Sequence, residues 1–298
     1  MVDTMPAESL PKVGVMGAGA IGLYIGGMLA EGGGKVAFAT RGRTREAVSR
    51  GLALSRYDGF RAELKPQCYE IGGVEALSDC DIVLFCTKSG DTEAAAEELA
   101  AHINANCTVI CLQNGVGNIE TLRRVLPRHE IVAGTVPFNV VRLSANAVHC
   151  SMEGAVLVGP SRASERLVSL ARVSRLKLEM RNDMEAMLWG KLLLNLNNGL
   201  NVVSGLPLRR QFADPGYRRV LAMAMDELLM ALDAAGMSAA TLIAPATAGI
   251  LYAWLGPDGV YVIVAGLGLA AVLLTTQIPT LNRAHMEGKT PVLADIKA

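Results

Sequence analysis

A glycine-rich turn near the N-terminus constrains the fold of this chain more than any other part of the sequence. Val13–Met16 is an apolar run long enough for one buried strand, and Leu23–Ala30 follows with a helical pattern. Between them, Gly17, Gly19 and Gly22 stand at G-x-G-x-x-G spacing. The first glycine permits a tight turn, the second lets a pyrophosphate approach the backbone, and the third allows close packing of helix on strand. This context predicts a dinucleotide-binding βαβ unit, and an ordinary glycine-rich turn is the alternative.

Length and charge exclude several classes of function. The chain has 298 residues, enough for two domains, and its 28 Lys and Arg residues equal its 28 Asp and Glu residues. This balance argues against nucleic-acid binding, which would need a basic face. The six cysteines show neither C-x-x-C nor metal-ligand spacing, which predicts free thiols in a reducing compartment and no metal site. The first eleven residues contain no apolar signal core, so we expect a cytoplasmic protein.

One uncharged stretch, Gly259–Leu281, raises the alternative of a membrane span. It is long enough to cross a bilayer, and its first part, Val260–Leu274, is almost entirely apolar. However, Gly266 and Gly268 weaken a helix, Pro279 ends it, and the flanks lack a clear basic cluster. We therefore expect a helix buried in a domain core or a dimer interface.

The order of the elements predicts an α/β fold. Strand-like and helical segments alternate through residues 1–182, which indicates an N-terminal Rossmann-type, doubly wound sheet. Strand signals vanish after that point, so residues 183–298 are predicted to form an all-helical C-terminal domain. The predicted strands are 35–39, 81–87, 108–112, 131–136 and further strands within 140–158; a hairpin covers 52–64; the predicted helices are 91–101, 184–203, 217–235 and 260–274.

Thr40 and Arg41 end the second predicted strand, at the position where an NAD-binding fold usually has an acidic residue for the ribose hydroxyls. A hydroxyl and a guanidinium instead suit a 2′-phosphate, which predicts NADPH as the cofactor. The alternative is a solvated basic start of a helix.

Polar residues follow two later strands. Lys88 comes after the strand ending near Thr87, and Asn114 comes after the strand ending near Leu112. The carboxyl edge of an open α/β sheet is where ligands bind. A lysine there can reach a phosphate or a carboxylate, and an asparagine can donate and accept hydrogen bonds at once. A loop-capping role is an equally good interpretation of each residue taken alone.

A polar stripe within an apolar helix is the sharpest feature of the second half. Lys191, Asn195 and Asn198 stand at positions i, i+4 and i+7, and so share one helical face among many leucines. Buried polar groups need partners, which a cleft between this helix and the sheet edge would supply. Alternatively, Lys191 reaches outward to solvent and the asparagines cap turns.

Together these motifs resemble the ketopantoate reductase family (2-dehydropantoate 2-reductases). The resemblance extends from Lys12 to about Gly236. It rests on the glycine-rich turn, Thr87-Lys88, Gln113-Asn-Gly115, Val136-Pro-Phe-Asn139 and the Lys191-x-x-x-Asn195 helix. The glycine motif is shared by many dehydrogenases, whereas the last two motifs together are much more specific.

The resemblance implies an NADPH-dependent reduction of a 2-oxo acid in pantothenate synthesis. It also implies a protein that is dimeric or larger, with contacts through the helical domain, and we expect a homodimer. It implies that Lys191 is the catalytic lysine, that Asn114 contacts cofactor and substrate, and that Asn195 contacts substrate. Asn198 is a further candidate for substrate binding, since it stands beside Gly199, where the family often has asparagine. The residues expected at the cofactor are Gly17, Ala18, Gly19, Ala20, Ile21, Gly22, Thr40, Arg41, Lys88 and Asn114.

The resemblance weakens beyond Gly236. The family's Ser-Ser-Met-Leu-x-Asp-like stretch fits best at Lys289–Asp295, where Pro291 replaces the second serine and offers neither hydroxyl nor N–H. The glutamate that follows in the family would fall past Ala298. A rival register at Ile278–Arg283 supplies no substitute. We therefore expect either that the true protein extends further or that its site is impaired.

Other interpretations stay open from the sequence. The chain could reduce another 2-oxo acid or an imine, because pocket shape sets the acyl group. It could also bind a dinucleotide without catalysing a reaction, or work as a membrane-associated oxidoreductase.

Overall fold

The computed structural model describes residues 10–234, all of which lie within one compact unit. The strands are β1 Val13–Met16, β2 Val36–Ala39, β3 Leu52–Arg56, β4 Arg61–Leu64, β5 Glu70–Gly72, β6 Ile82–Phe85, β7 Thr108–Cys111, β8 Ile131–Thr135, β9 Val140–Ser144, β10 Ala147–Cys150, β11 Val156–Val158 and β12 Leu178–Met180. The helices are α1 Ala20–Glu31, α2 Gly42–Val48, α3 Thr92–Ala100, α4 Asn118–Val125, α5 Arg162–Ala171, α6 Met184–Ser204, α7 Leu208–Ala213 and α8 Pro215–Ala234.

The main sheet has eight strands in the order β12-β11-β8-β7-β6-β1-β2-β5. β1 runs parallel to β2 and β6, and parallel pairing continues through β7 to β8. β11 is antiparallel to β8, which makes the sheet mixed beyond that strand. The predicted Rossmann-type sheet is confirmed. Because their strands are parallel, the carboxyl ends of β1, β2, β6, β7 and β8 meet at one edge, where such folds bind ligands.

Apolar side chains cover both faces of this sheet. One core cluster joins Val15 and Phe38 to Leu23 on α1, and the other joins Phe85 to Leu99 on α3. All five side chains are fully buried. Each contributes about 1.5–3 kcal/mol relative to an exposed side chain. Burial on both faces explains why the parallel strands are continuous apolar runs rather than alternating ones.

A second sheet has the order β4-β3-β10-β9. Its β3–β4 pair is the hairpin predicted around Asp58 and Gly59, with Leu52 opposite Leu64. β10 pairs in parallel with β3 and antiparallel with β9, so strands distant in sequence complete this sheet. β9 and β10 pack against α1, so this sheet lies beside the helix that follows the glycine-rich turn.

The helical segments after residue 183 follow the predicted pattern. α6 and α8 confirm the helices expected over 184–203 and 217–235, and α6 packs against both α8 and β8. The proposed division at residue 182 remains a prediction. The helix expected at 260–274 and the motif sought at 289–295 lie outside the described residues. Over residues 10–234, no helix is both long and apolar enough to span a membrane.

All six cysteines are free thiols, as expected. Four of them are buried, Cys86 is half-buried, and Cys68 is exposed. Burial raises the pKa of Cys80 and of Cys107 to about 12, which keeps these thiols protonated and unreactive near neutral pH.

Candidate active site

The glycine-rich turn between β1 and α1 leaves no room for a side chain at two of its three glycines. Gly17 has φ of +97°, and a Cβ there would lie 2.7 Å from the backbone nitrogen of Thr87. A Cβ on Gly22 would lie 2.3 Å from the carbonyl oxygen of Gly17. By contrast, a Cβ on Gly19 would meet no atom within 4 Å. The first and third glycines are therefore required by the protein's own packing, whereas the second leaves open space.

That open space belongs to a cleft of about 620 Å³ at the carboxyl ends of β1, β2 and β6. Gly19 is the N-cap of α1, and no side chain caps the helix there. Free N–H groups and the positive end of the helix dipole at such a position suit a phosphate. Of the residues predicted at the cofactor, six line the cleft: Gly17, Ala18, Gly19, Thr40, Arg41 and Lys88. Ala20, Ile21 and Gly22 form the first turn of α1 and do not line it.

Thr40 and Arg41 lie at one end of the cleft. Thr40 is only 5% exposed, and its hydroxyl has no hydrogen-bond partner among the described residues. Arg41 is exposed and donates a hydrogen bond to the carboxylate of Glu98 on α3, which also lines the cleft. A buried hydroxyl without a partner is costly, so this corner is suited to a ligand oxygen.

Asn114 follows β7 and lies outside the cleft lining. Its side chain is exposed, while its carbonyl oxygen accepts hydrogen bonds from Ser89 Oγ (3.0 Å) and Asn118 Nδ2 (2.9 Å). No hydrogen bond joins Asn114 to Lys191 within the described part of the chain. The neighbouring Gln113 takes the loop-capping role that the sequence left open. Its buried amide donates to the carbonyl and hydroxyl oxygens of Thr87, both at 3.1 Å, and so ties the ends of β6 and β7 together.

Lys191 points from α6 towards the end of β8. Its ammonium donates hydrogen bonds to Thr135 Oγ1 at 3.1 Å and to the Val136 carbonyl oxygen at 2.8 Å. Burial lowers the pKa of Lys191 to about 8. An ammonium has three N–H donors, so two fixed bonds orient the group and leave one donor for a ligand. A lysine held in this way can stabilise a developing negative charge and transfer a proton near neutral pH.

Asn195 and Asn198 lie further along α6. Asn198 is exposed, and its Nδ2 donates to Asn195 Oδ1 at 3.2 Å. This bond orients the two amides with respect to each other, but no hydrogen bond links either of them to Lys191 among residues 10–234. The predicted stripe is therefore present on one helix, with its lysine bonded to the sheet and its amides bonded to each other.

Comparison with known proteins identifies the family. The family model described as "Ketopantoate reductase PanE/ApbA" matches residues 13–163, which is half of the chain. The chain belongs to the ketopantoate reductase family. This family consists of dinucleotide-binding oxidoreductases.

Individual ketopantoate reductases extend the similarity into the helical region. The 2-dehydropantoate 2-reductase of Archaeoglobus fulgidus is 32% identical over 62% of this chain, and the match covers 60% of that protein. The enzyme of the same name from Halobacterium salinarum is 28% identical over 76% of this chain and 77% of its own length. The crystal structure of a PanE/ApbA family ketopantoate reductase from Ralstonia eutropha JMP134 superposes with a TM-score of 0.71, at 30% identity, over 78% of each chain. The chain therefore spans about three fifths of the first of these relatives.

Two groups of residues in this ketopantoate reductase family member were not anticipated from the sequence. Thr135 orients Lys191, and the only signal for it is a lone hydroxyl at the end of an apolar strand. Thr44, Glu98 and Arg142 line the cleft. Arg142 belongs to the second sheet, and nothing in its local sequence distinguishes it from a solvent-exposed arginine of an edge strand.

Proposed function

We propose that this protein is an NADPH-dependent 2-dehydropantoate 2-reductase, which reduces ketopantoate to pantoate in pantothenate and coenzyme A biosynthesis. The observation that carries the proposal is the ammonium of Lys191, which is oriented by Thr135 and Val136 and has a pKa lowered by burial to about 8. The names of the Archaeoglobus and Halobacterium relatives support the choice of substrate.

The cleft fits the proposed cofactor. The open space beside Gly19 and the uncapped start of α1 suit a pyrophosphate. The hydroxyl of Thr40, which has no partner in the part of the chain that the structure describes, and the guanidinium of Arg41 suit a 2′-phosphate. This supports NADPH over NADH. When bound, the reduced nicotinamide supplies a hydride to the carbonyl carbon of the substrate.

Lys191 acts on the oxygen of that carbonyl. Negative charge grows on the oxygen during reduction, and the third N–H of the ammonium is available to stabilise it. Nζ then gives its proton to the oxygen, which leaves a hydroxyl group on the product and a neutral amine on Lys191. A pKa near 8 keeps the amine mostly protonated at pH 7 while making the proton easier to release than from an ordinary lysine.

The remaining predicted residues are assigned to binding. We propose that Asn114 contacts both cofactor and substrate from the loop after β7. We propose that Asn195 and Asn198, which are hydrogen-bonded to each other, hold the polar groups of the substrate. The predicted homodimer and cytoplasmic location remain part of this proposal and rest on the family resemblance.

The test is consumption of NADPH by the purified full chain with ketopantoate, compared with several other 2-oxo acids. Lys191→Ala should lower kcat by at least about 100-fold, the range for removal of one group that stabilises a developing oxyanion. Its affinity for NADPH should stay close to that of the parent. The exposed Lys65 provides a matched control, and Lys65→Ala should leave both quantities unchanged.

Three results would count against the proposal, each in a different way. Full activity of the Lys191 variant would remove the lysine from the mechanism. A higher kcat/KM with another 2-oxo acid than with ketopantoate would retain the chemistry and reject the substrate. Binding of NADPH without turnover of any oxo acid would favour a dinucleotide-binding protein that is not a reductase.

A further inference from the structure

The cleft contains a second guanidinium, that of Arg142 on β9. Its Nη2 donates to Thr44 Oγ1 at 2.9 Å and to the Ala145 carbonyl oxygen at 2.6 Å, and its Nε donates to the Ser144 carbonyl oxygen at 3.1 Å. These bonds fix the plane of the guanidinium. Its Nη1 donates no hydrogen bond to any described residue. An oriented guanidinium with free donors is well suited to binding an oxyanion.

Arg142 reaches the cleft from a different part of the fold than Arg41. Arg41 lies at the start of α2, directly after β2 of the main sheet, whereas β9 is an edge strand of the second sheet. Thr44, to which Arg142 donates, is on α2 itself, so this hydrogen bond links the two elements at the cleft. Thr40 lines the same cleft, and its buried hydroxyl has no hydrogen-bond partner within residues 10–234.

A carboxylate already occupies one of these two guanidiniums. Glu98 on α3 accepts a hydrogen bond from Arg41, and the side chain of Arg41 remains 72% exposed in this ion pair. A carboxylate and a phosphate bind a guanidinium through the same donors. A 2′-phosphate that takes the Arg41 donor now bonded to Glu98 would replace that carboxylate, whereas the neutral ribose hydroxyl of NADH carries no charge with which to do so.

We propose that Arg142 is a second residue that reads the 2′-phosphate of the cofactor, and that Glu98 is the carboxylate which this phosphate displaces from Arg41. The inference rests on the proposed use of NADPH. Arg142 and Arg41 then supply two positive charges to one phosphate, and Thr40 supplies a hydroxyl. Glu98 acts in the opposite direction and favours NADH over NADPH, because its carboxylate repels the phosphate and can accept a hydrogen bond from a ribose hydroxyl.

Equilibrium binding of NADPH and of NADH to the full chain, followed by cofactor fluorescence, tests this inference. Arg142→Gln should weaken NADPH binding by about tenfold, equivalent to ~1.4 kcal/mol, and leave NADH binding within about twofold. Arg142→Lys should give an intermediate loss, because it keeps the charge and loses the planar fork. Glu98→Gln should tighten NADPH binding several-fold while NADH binding stays unchanged or weakens. Arg172→Gln, at an exposed arginine that does not line the cleft, should alter neither affinity.

Comparison with Arg41→Ala separates the possible failures. If the parent prefers NADPH and Arg41→Ala abolishes the preference while Arg142→Gln keeps it, the inference about Arg142 is wrong and the proposed function stands. Equal losses of NADPH and NADH affinity in Arg142→Gln would mean that Arg142 only supports the β9–β10 turn, which also overturns it. Equal affinity of the parent for both cofactors would overturn this inference together with the proposed NADPH preference. Unchanged NADPH affinity in Glu98→Gln would show that Glu98 does not compete with the phosphate for Arg41.

Discussion

The pKa of Lys191 leads to a prediction about stability that does not depend on any activity assay. In the folded chain, burial lowers this pKa from the ordinary value of 10.5 to about 8. At ~1.4 kcal/mol per pKa unit, keeping Lys191 charged destabilises the folded protein by about 3 kcal/mol. Because the folded pKa is the lower one, this cost is present in full below pH 8. It declines between pH 8 and 10.5, where the unfolded chain still holds the proton and the folded protein has released it, and it vanishes above that range.

Replacement of Lys191 by methionine removes the titration while it keeps a long, unbranched side chain. The variant also leaves the oxygens of Thr135 and Val136 without the ammonium donor, which adds an offset that is nearly independent of pH. The pH dependence of the stability difference between variant and parent therefore reports the titration of Lys191 alone. The difference in free energy of unfolding, variant minus parent, should fall by about 3 kcal/mol between pH 7 and pH 10.5.

Urea unfolding of both proteins at a series of pH values measures this difference, and other titrating groups cancel because both proteins contain them. Lys65→Met, at an exposed lysine, is the control and should show a constant difference from the parent. Parallel stability curves for the Lys191 variant and the parent from pH 7 to 10.5 would show that Lys191 titrates as an ordinary lysine. The assignment of an easily released proton to its ammonium would then lose its physical basis.

Three further predictions concern other residues of the site. Thr135→Val should lower the pH above which kcat declines by about one pH unit, because loss of a ~1.5 kcal/mol hydrogen bond disfavours the charged form of Lys191. Thr135→Ser keeps the hydroxyl and should keep the pH profile of the parent. A pH–rate series in which both variants behave alike would contradict this prediction. Gly19→Ala should retain the thermal stability of the parent and weaken NADPH binding. Gly22→Ala should lose about 1–3 kcal/mol of stability, because its Cβ would approach the Gly17 carbonyl oxygen to 2.3 Å. Calorimetric unfolding and titration with NADPH check this pattern, and equal losses of stability in the two variants would contradict it. Asn195→Ala should raise the KM for ketopantoate with little change in kcat, and steady-state kinetics showing the reverse would place Asn195 in the chemical step.

Local sequence signals were sufficient wherever short-range sterics decide the structure. The glycine spacing predicted strand, turn and helix, and Gly17 and Gly22 are indeed positions that no larger residue could occupy without displacing backbone atoms. Asp58 and Gly59 likewise marked the hairpin correctly. The N-terminus of α5 also carried a readable signal that was missed, since Ser161 caps the helix by accepting a hydrogen bond from the Ser164 nitrogen.

Contacts between distant segments could not be predicted in the same way. The sequence indicated that Lys191 needs partners, but the choice of Thr135 depends on how α6 packs against β8. Arg142 enters the cleft because β10 pairs with β3 and carries β9 with it, and neither strand encodes that pairing locally. Gln113 and Asn114 are neighbours with equally polar side chains, and only the fold distinguishes the buried amide from the exposed one.

The parallel pairing of β3 with β10 has a consequence for the order in which the protein forms during synthesis. It brings together residues such as Ser55 and His149, whose side chains are hydrogen-bonded although they are 94 positions apart. Closure of such a long loop is a slow, entropically costly step compared with the neighbouring β1–α1–β2 contacts. A nascent chain is therefore expected to form its glycine-rich turn, the backbone proposed to bind a pyrophosphate, well before β10 is translated. The strand that carries Arg142 forms only after that, so a ribosome-bound chain arrested before β9 lacks one side of the cleft proposed to bind the cofactor.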